Sequence, residues 1–175
     1  DAVKNKIGLI NEDRKRQGLL SELSISQNIS FASLALYVSK FGWLDTMRIL
    51  SDVKEQTDNL VVHCTSNEQK VSELSGGNQQ KVIIARWLMM NCNILLLDEP
   101  TRGIDIQTKQ MLYDLLDKLA GLGKALVVAS SEMNELFRIC DRIMVLSNGR
   151  LIETFQRGQW TPENLTTAAF TRYNS

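Results

Sequence analysis

The chain has 175 residues, 43% of them hydrophobic, and its 20 basic side chains balance 20 acidic ones. That length buries one core with at most a small appended subdomain, and the balanced charge offers no global field to draw in nucleic acid or an anionic membrane. No run approaches the roughly 18 apolar residues of a membrane span, Asp1-Ala2-Val3-Lys4 lacks a signal-peptide layout, and Cys64, Cys92 and Cys140 fall outside any C-x-x-C spacing, which reads as three reduced, mostly buried thiols.

Residues 6–10 read as a short buried strand, followed by a charged turn, Asn11-Glu12-Asp13-Arg14-Lys15-Arg16, closed by Gly18. From residue 24 to residue 70 the pattern is helical but irregular. Ile25, Ile29, Leu34, Leu36, Leu44, Met47, Ile49 and Leu50 are the expected core there, and Gly42 breaks the stretch into two helices. Residues 78–90 predict a helix, and residues 94–97 a strand too uniformly apolar to have a wet face. Asp105 is placed to cap the next helix, whose Leu112, Leu115, Leu116 and Leu119 follow the i, i+3, i+4, i+7 rule, with Gly121 and Gly123 as its stop. Residues 125–129 predict a further buried strand and residues 132–140 a further helix. Strand and helix in alternation imply parallel pairing with right-handed crossovers. Asn148-Gly149 between two apolar runs predicts a hairpin, and Thr161-Pro162-Glu163 opens a last helix. The expected fold class is α/β, a mainly parallel sheet flanked by helices with an inserted helical subdomain.

Two motifs carry chemistry. Asp98 and Glu99 end an apolar strand, and so stand at the carboxyl edge of the sheet where ligands of open α/β sheets bind. Strand alternation sends the two carboxylates to opposite faces. Asp98 then suits a Mg2+ ion held through water, and Glu99 suits a general base facing the attacking water. About twenty residues earlier, Glu73-Leu74-Ser75-Gly76-Gly77-Asn78-Gln79-Gln80-Lys81 places a serine and two glycines at a helix start. Backbone N–H groups and the helix dipole favour an anion there, and glycine lets the backbone approach it closely.

In this order and spacing the two motifs resemble the signature and Walker B motifs of ATP-binding-cassette (ABC) ATPases, over roughly residues 6–170. The resemblance implies ATP and Mg2+ as ligands. It implies that Ser75, Gly76, Gly77 and Gln79 close over the nucleotide held by an opposite cassette. It also implies that Gly103-Ile104-Asp105 is the loop that meets that cassette, with Asp105 at the interface. Glu12 stands where most members have a glutamine, and Ser131, in Val128-Ala129-Ser130-Ser131-Glu132, stands where they have a histidine on the γ-phosphate. Serine donates a hydrogen bond but carries no positive charge near pH 7, so the site with Glu99 is expected to turn over slowly. These departures are similar to the second cassette of the tandem ATPases of ribose- and galactose-type sugar importers. The partners implied are a second cassette in the same chain or a dimer, membrane permease subunits and, indirectly, a periplasmic solute-binding protein. No nucleic acid is implied, and the location implied is the cytoplasmic face of the cell membrane.

On this reading residues 1–20 hold a core strand and the loop of Glu12, residues 21–72 the helical subdomain, residues 73–155 the signature helix through the hairpin, and residues 156–175 a terminal helix or tail. No G-x-x-x-x-G-K-[ST] segment occurs; Gly121-Leu122-Gly123-Lys124 lacks the first glycine and the hydroxyl and precedes a strand. The chain therefore reads as a partial P-loop NTPase, the later two-thirds of one cassette without its phosphate loop, inactive by itself. His63 is remote in sequence from Glu99 and reads as non-catalytic. Arg14-Lys15-Arg16 reads as a solvated turn or as a contact for a membrane partner's helix. Residues 24–70 are too short, and lack the heptads, for the coiled coils of DNA-repair members. Ribosome-acting members and a cassette that binds but barely hydrolyses ATP stay open.

Overall fold

A computed structural model describes residues 1–170, and the chain divides into two units, Asp1–Ala129 and Ser130–Ser175. The last five residues of the expected tail lie outside the described residues.

In the first unit, three apolar runs form a parallel sheet in the order β1 (Ile7–Ile10), β2 (Ile94–Asp98), β3 (Ala125–Ala129). Leu9 lies opposite Leu96, and Leu96 opposite Val127. The expected helix after the signature serine forms as α3 (Gly76–Met89). It packs on the face that Gly8 occupies: a Cβ on Gly8 would sit 2.7 Å from the Trp87 ring, and Trp87 Nε1 donates to the Leu9 carbonyl at 2.9 Å. Ile10, Leu95 and Leu97 are buried. The expectation that β2 has no wet face is corrected, because Leu9, Leu96 and Val127 form one cross-strand row 48%, 36% and 48% exposed. Successive strand residues point to opposite faces, and these three stand on the one that α3 leaves open.

The helical subdomain is shorter in helix than its pattern suggests. α1 (Ile25–Ser30) starts with a capping box in which the Gln27 N–H donates to Ser24 Oγ at 3.2 Å and the Ser24 N–H to Gln27 Oε1 at 3.0 Å. A 3₁₀ turn, Phe31–Tyr37, follows, then α2 (Thr46–Asn59), capped by Asp45. Gly42, at φ +82°, does lie between the helices. Residues 60–70, expected as helix, are not: Leu60 ends α2, Val61 takes φ +51°, and Lys81 Nζ donates to the Val61 carbonyl at 2.8 Å. Of the expected core, Ile25, Ile29 and Ile49 are buried, whereas Leu36, Leu44, Met47 and Leu50 are exposed. The buried stripe of α2 runs through Ile49, Val53 and Thr57, a spacing of four that turns Met47 and Leu50 outward. Tyr37 donates to Asp52 Oδ2 at 2.6 Å and so ties the 3₁₀ turn to α2; burial, then that bond, pushes its phenol up to about 12.

One buried cation joins subdomain and sheet layer. Arg86, on α3, donates from Nε to the Asn28 carbonyl at 2.7 Å, from Nη1 to the Gly18 carbonyl at 2.7 Å and from Nη2 to Asn28 Oδ1 at 3.1 Å. Asn28 in turn holds the Leu20 N–H at 2.9 Å and donates to the Ser24 carbonyl at 3.0 Å. The fourth helix, α4 (Ile106–Gly121), buries Leu112, Leu116 and Leu119 and gives way to Gly123 at φ +82°.

The second unit contains α5 (Met133–Ile139), the antiparallel pair β4 (Arg142–Ser147) and β5 (Arg150–Gln156), and α6 (Pro162–Phe170). Asn148 and Gly149 take φ +50° and +75°, the geometry that a two-residue hairpin turn needs. Ile143, Val145, Phe155, Leu165 and Ala168 form its core, with Phe137 and Trp160 stacked 6.2 Å apart between centroids. Thr161 caps α6, accepting the Asn164 N–H at 3.2 Å. Of the three thiols, Cys92 is buried and Cys64 and Cys140 half-buried; all are free. Among the described residues no helix is long and apolar enough to cross a membrane.

Candidate functional site

The parallel sheet delivers Asp98 as the last residue of β2, exposed, opposite Ala129. Glu99, half-buried, leaves the strand at φ +46°. A non-glycine residue in that region costs about 1–3 kcal/mol and persists where its surroundings over-determine it. Here the Glu99 N–H donates to the Ala129 carbonyl at 2.8 Å, and the Arg102 N–H donates to the Glu99 carbonyl at 3.1 Å. The alternation used to send the two carboxylates to opposite faces ends at Asp98, because β2 stops there; a left-handed turn, not the pleat, aims Glu99.

Ser75 is exposed and caps α3. Its Oγ accepts from Asn78 Nδ2 at 3.1 Å, and Asn78 Oδ1 accepts the His63 N–H at 3.0 Å. The loop of His63, remote in sequence, is thus a wall of the helix mouth: His63, Cys64, Thr65, Gln69, Glu73, Leu74 and Ser75 line one recess. Gln79, expected at the nucleotide, is buried, with Nε2 donating to the Val71 carbonyl at 3.2 Å. It braces the turn that leads into Ser75.

Gly77 has an intrachain reason that the motif alone does not reveal. A Cβ on Gly77 would lie 2.1 Å from Thr108 Cγ2, and a Cβ on Gly76 would lie 2.6 Å from Arg14 Nη2. Thr108 is in the first turn of α4, where Asp105 caps it: the Thr108 N–H donates to Asp105 Oδ1 at 3.0 Å and its hydroxyl to Oδ2 at 2.7 Å. The Thr108 hydroxyl, then its amide, hold the Asp105 carboxyl below the usual carboxylate range. The helix mouth therefore rests on the same turn that carries Asp105.

Glu12 pairs with the Arg102 side chain, across ninety residues of sequence. Arg14 Nη1 donates to the Arg102 carbonyl at 2.9 Å, with Nη2 3.4 Å from the Gly103 carbonyl. The expected solvated turn is corrected at this residue: Arg14 turns inward, and burial lowers its guanidinium from its ordinary value, while Lys15 and Arg16 stay exposed. Ser131 lies in the second unit, just before α5, in a turn where the Glu132 N–H donates to Ser130 Oγ at 3.0 Å. Sequence reasoning missed Arg102, Arg14 and Thr108. Nothing in their spacing points to partners so far away, although the clash at each glycine was foreseeable in kind.

Among the described residues no group of three or more His, Cys, Asp or Glu side chains is assembled to hold a metal by itself. Asp98, exposed at the end of β2, is the type of donor that binds Mg2+ together with water and phosphate oxygens.

The family model for ABC transporters matches residues 1–102. A ribose/galactose/methyl galactoside import ATP-binding protein of Halalkalibacterium halodurans is 46% identical over 165 residues, covering 94% of this chain and 31% of that protein. The ribose import ATP-binding protein RbsA of Rhodopirellula baltica is 41% identical over 175 residues, all of this chain and 34% of that one. The chain thus spans about a third of the length of the curated relatives it matches. Among solved structures, the dimeric post-hydrolysis state of the ATP-binding cassette MJ0796, bound to ADP and Pi, superposes with a TM-score of 0.71 at 26% identity, over 87% of this chain and 63% of that one. With the carboxylate pair at the end of a parallel strand, the serine–glycine mouth of α3 beside the cap of α4, and this match over its first 102 residues, the chain belongs to the ABC transporter family.

Proposed function

We propose that this chain is part of the ATPase subunit of an ABC importer, coupling ATP hydrolysis to uptake of a sugar or sugar-like solute at the cytoplasmic face of a membrane. The observation that carries the reading is the anchoring of two elements in one unit: exposed Asp98 and half-buried Glu99 at the sheet edge, and exposed Ser75 at a helix mouth that rests on the turn of Asp105 through Thr108. The names of the relatives, which mention ribose and galactose import, support the substrate class.

In this reading Glu99 accepts the proton of the attacking water, and Asp98 holds Mg2+ through water. Mg2+ bound with ATP neutralises charge on the phosphates. The N–H groups at Ser75–Gly77 face the γ-phosphate of ATP held by a second cassette, and Asp105 meets that cassette at the seam. Gln79 supports the mouth from inside. The phosphate loop comes from outside these 175 residues, so the chain alone does not turn over ATP. The test is reconstitution of the full-length protein with its permease subunits in vesicles. ATP-dependent uptake of labelled ribose or galactose is expected, with no phosphate release from the 175-residue stretch alone. Turnover stimulated by ribosomes and indifferent to permease subunits would sink the reading.

A second reading, a cassette that binds but barely hydrolyses ATP, is favoured by two features. Ser131 takes the sequence position of the family's histidine and offers no titratable nitrogen, and Glu12 is engaged by Arg102. If the missing positive charge limits the rate, Ser131→His raises steady-state ATP turnover of the full-length protein; an unchanged rate assigns the slowness elsewhere.

A further inference from the structure

Two segments far apart in sequence are joined by a crossed clasp. The Arg102 side chain reaches back to the Glu12 carboxylate, while the Arg102 carbonyl accepts from Arg14 Nη1 at 2.9 Å. The other terminal nitrogen of Arg14 faces the Gly103 carbonyl at 3.4 Å and stands 2.6 Å from where a Gly76 Cβ would be. One guanidinium therefore bonds the backbone of the loop that begins at Glu99 and stands beside the first helical residue of the Ser75–Gly77 mouth, in the space a Gly76 Cβ would need. Gly103 takes φ +67° and Glu99 φ +46°, so both ends of that loop are left-handed. The near end is held by the Ala129 carbonyl, and Arg14 holds the far one.

We propose that Arg14 is a positioning residue that sets the spacing between the Glu99 loop and the Ser75–Gly77 helix mouth, so that the two half-sites of one cassette are held as a unit. The inference deepens the functional reading above and rests on it for the expected effect on rate. A planar fork with donors in fixed directions satisfies two successive carbonyls from a place beside Gly76. An ammonium on a flexible stem reaches one. Without the fork, the Arg102 and Gly103 carbonyls lose their donors and the loop that aims Glu99 relaxes. Misplacement of a catalytic group by about 1 Å costs on the order of 100-fold in rate.

The test uses Arg14→Met and Arg14→Lys in the full-length ATPase, reading kcat and KM for ATP, thermal midpoint, and amide hydrogen exchange. For Arg14→Met, kcat falls about 10- to 100-fold with KM and midpoint nearly unchanged, and exchange quickens only at residues 101–105 and 76–79. Arg14→Lys recovers part of the rate. An unchanged kcat overturns the proposal. So does exchange that quickens throughout Asp1–Ala129 with a lowered midpoint, which would make Arg14 a general structural support. If the wild-type protein hydrolyses no ATP, the functional reading fails, and the exchange pattern still decides the clasp: loosening confined to the two segments upholds it, and no change in either overturns it.

Discussion

Replacing Glu99 by glutamine is expected to lower steady-state ATP turnover of the full-length protein by about 100- to 10,000-fold, the usual worth of a general base, if the proposed function holds. The change is isosteric. It leaves intact the two backbone bonds that hold the residue, from its N–H to the Ala129 carbonyl and from the Arg102 N–H to its own carbonyl. The φ of +46° belongs to the turn and not to the carboxylate, and glutamine tolerates it about as well as glutamate. Thermal midpoint and ATP binding should therefore hold while phosphate release collapses, and that split separates loss of a base from loss of a fold. A fall smaller than about tenfold would mean that Glu99 is not the rate-setting group and would favour the slow-cassette reading drawn from Ser131.

The largest expected effect on stability lies elsewhere, at Arg86. Its guanidinium is buried and spends its donors on carbonyl oxygens of Gly18 and Asn28 and on the Asn28 side chain. Burial lowers its affinity for the proton, yet an arginine stays charged in proteins. Arg86→Met keeps much of the packing volume and removes every donor, stranding the Gly18 and Asn28 carbonyls in the interior, while the Asn28 amide oxygen keeps only the Leu20 N–H. Each unsatisfied buried acceptor costs about 1–3 kcal/mol, and the relief of burying one fewer charge offsets part of the sum. A net loss of about 2–4 kcal/mol is expected, measured as the shift in the denaturant midpoint of the full-length protein at constant slope. Combining it with Asn28→Leu should cost less than the sum of the single changes, because the bond between Arg86 Nη2 and the Asn28 side chain is lost in both. Strict additivity would show that the network is not the source of the effect.

Local chemistry made much of this protein legible in its sequence. The caps of α4 and α6, the Asn148-Gly149 turn, the three strands and their parallel pairing, and the carboxylate pair at the end of β2 all follow from patterns a few residues long. Such patterns are decided by backbone sterics, hydrogen-bond reach and hydrophobic period, which act between near neighbours. The tertiary structure alone decided the rest. Whether Leu96 or Met47 is covered depends on which face another element reaches, and the direction of Glu99 on a left-handed turn that no propensity announces. Gly77 is a glycine partly because Thr108 leaves no room for a Cβ, and Glu12 meets Arg102 only because β1 and β2 lie side by side. The bond from Arg14 to the Arg102 carbonyl spans 88 residues. Contacts of that separation carry no signature in a single chain, because the residues that make them are ordinary until the sheet brings them together.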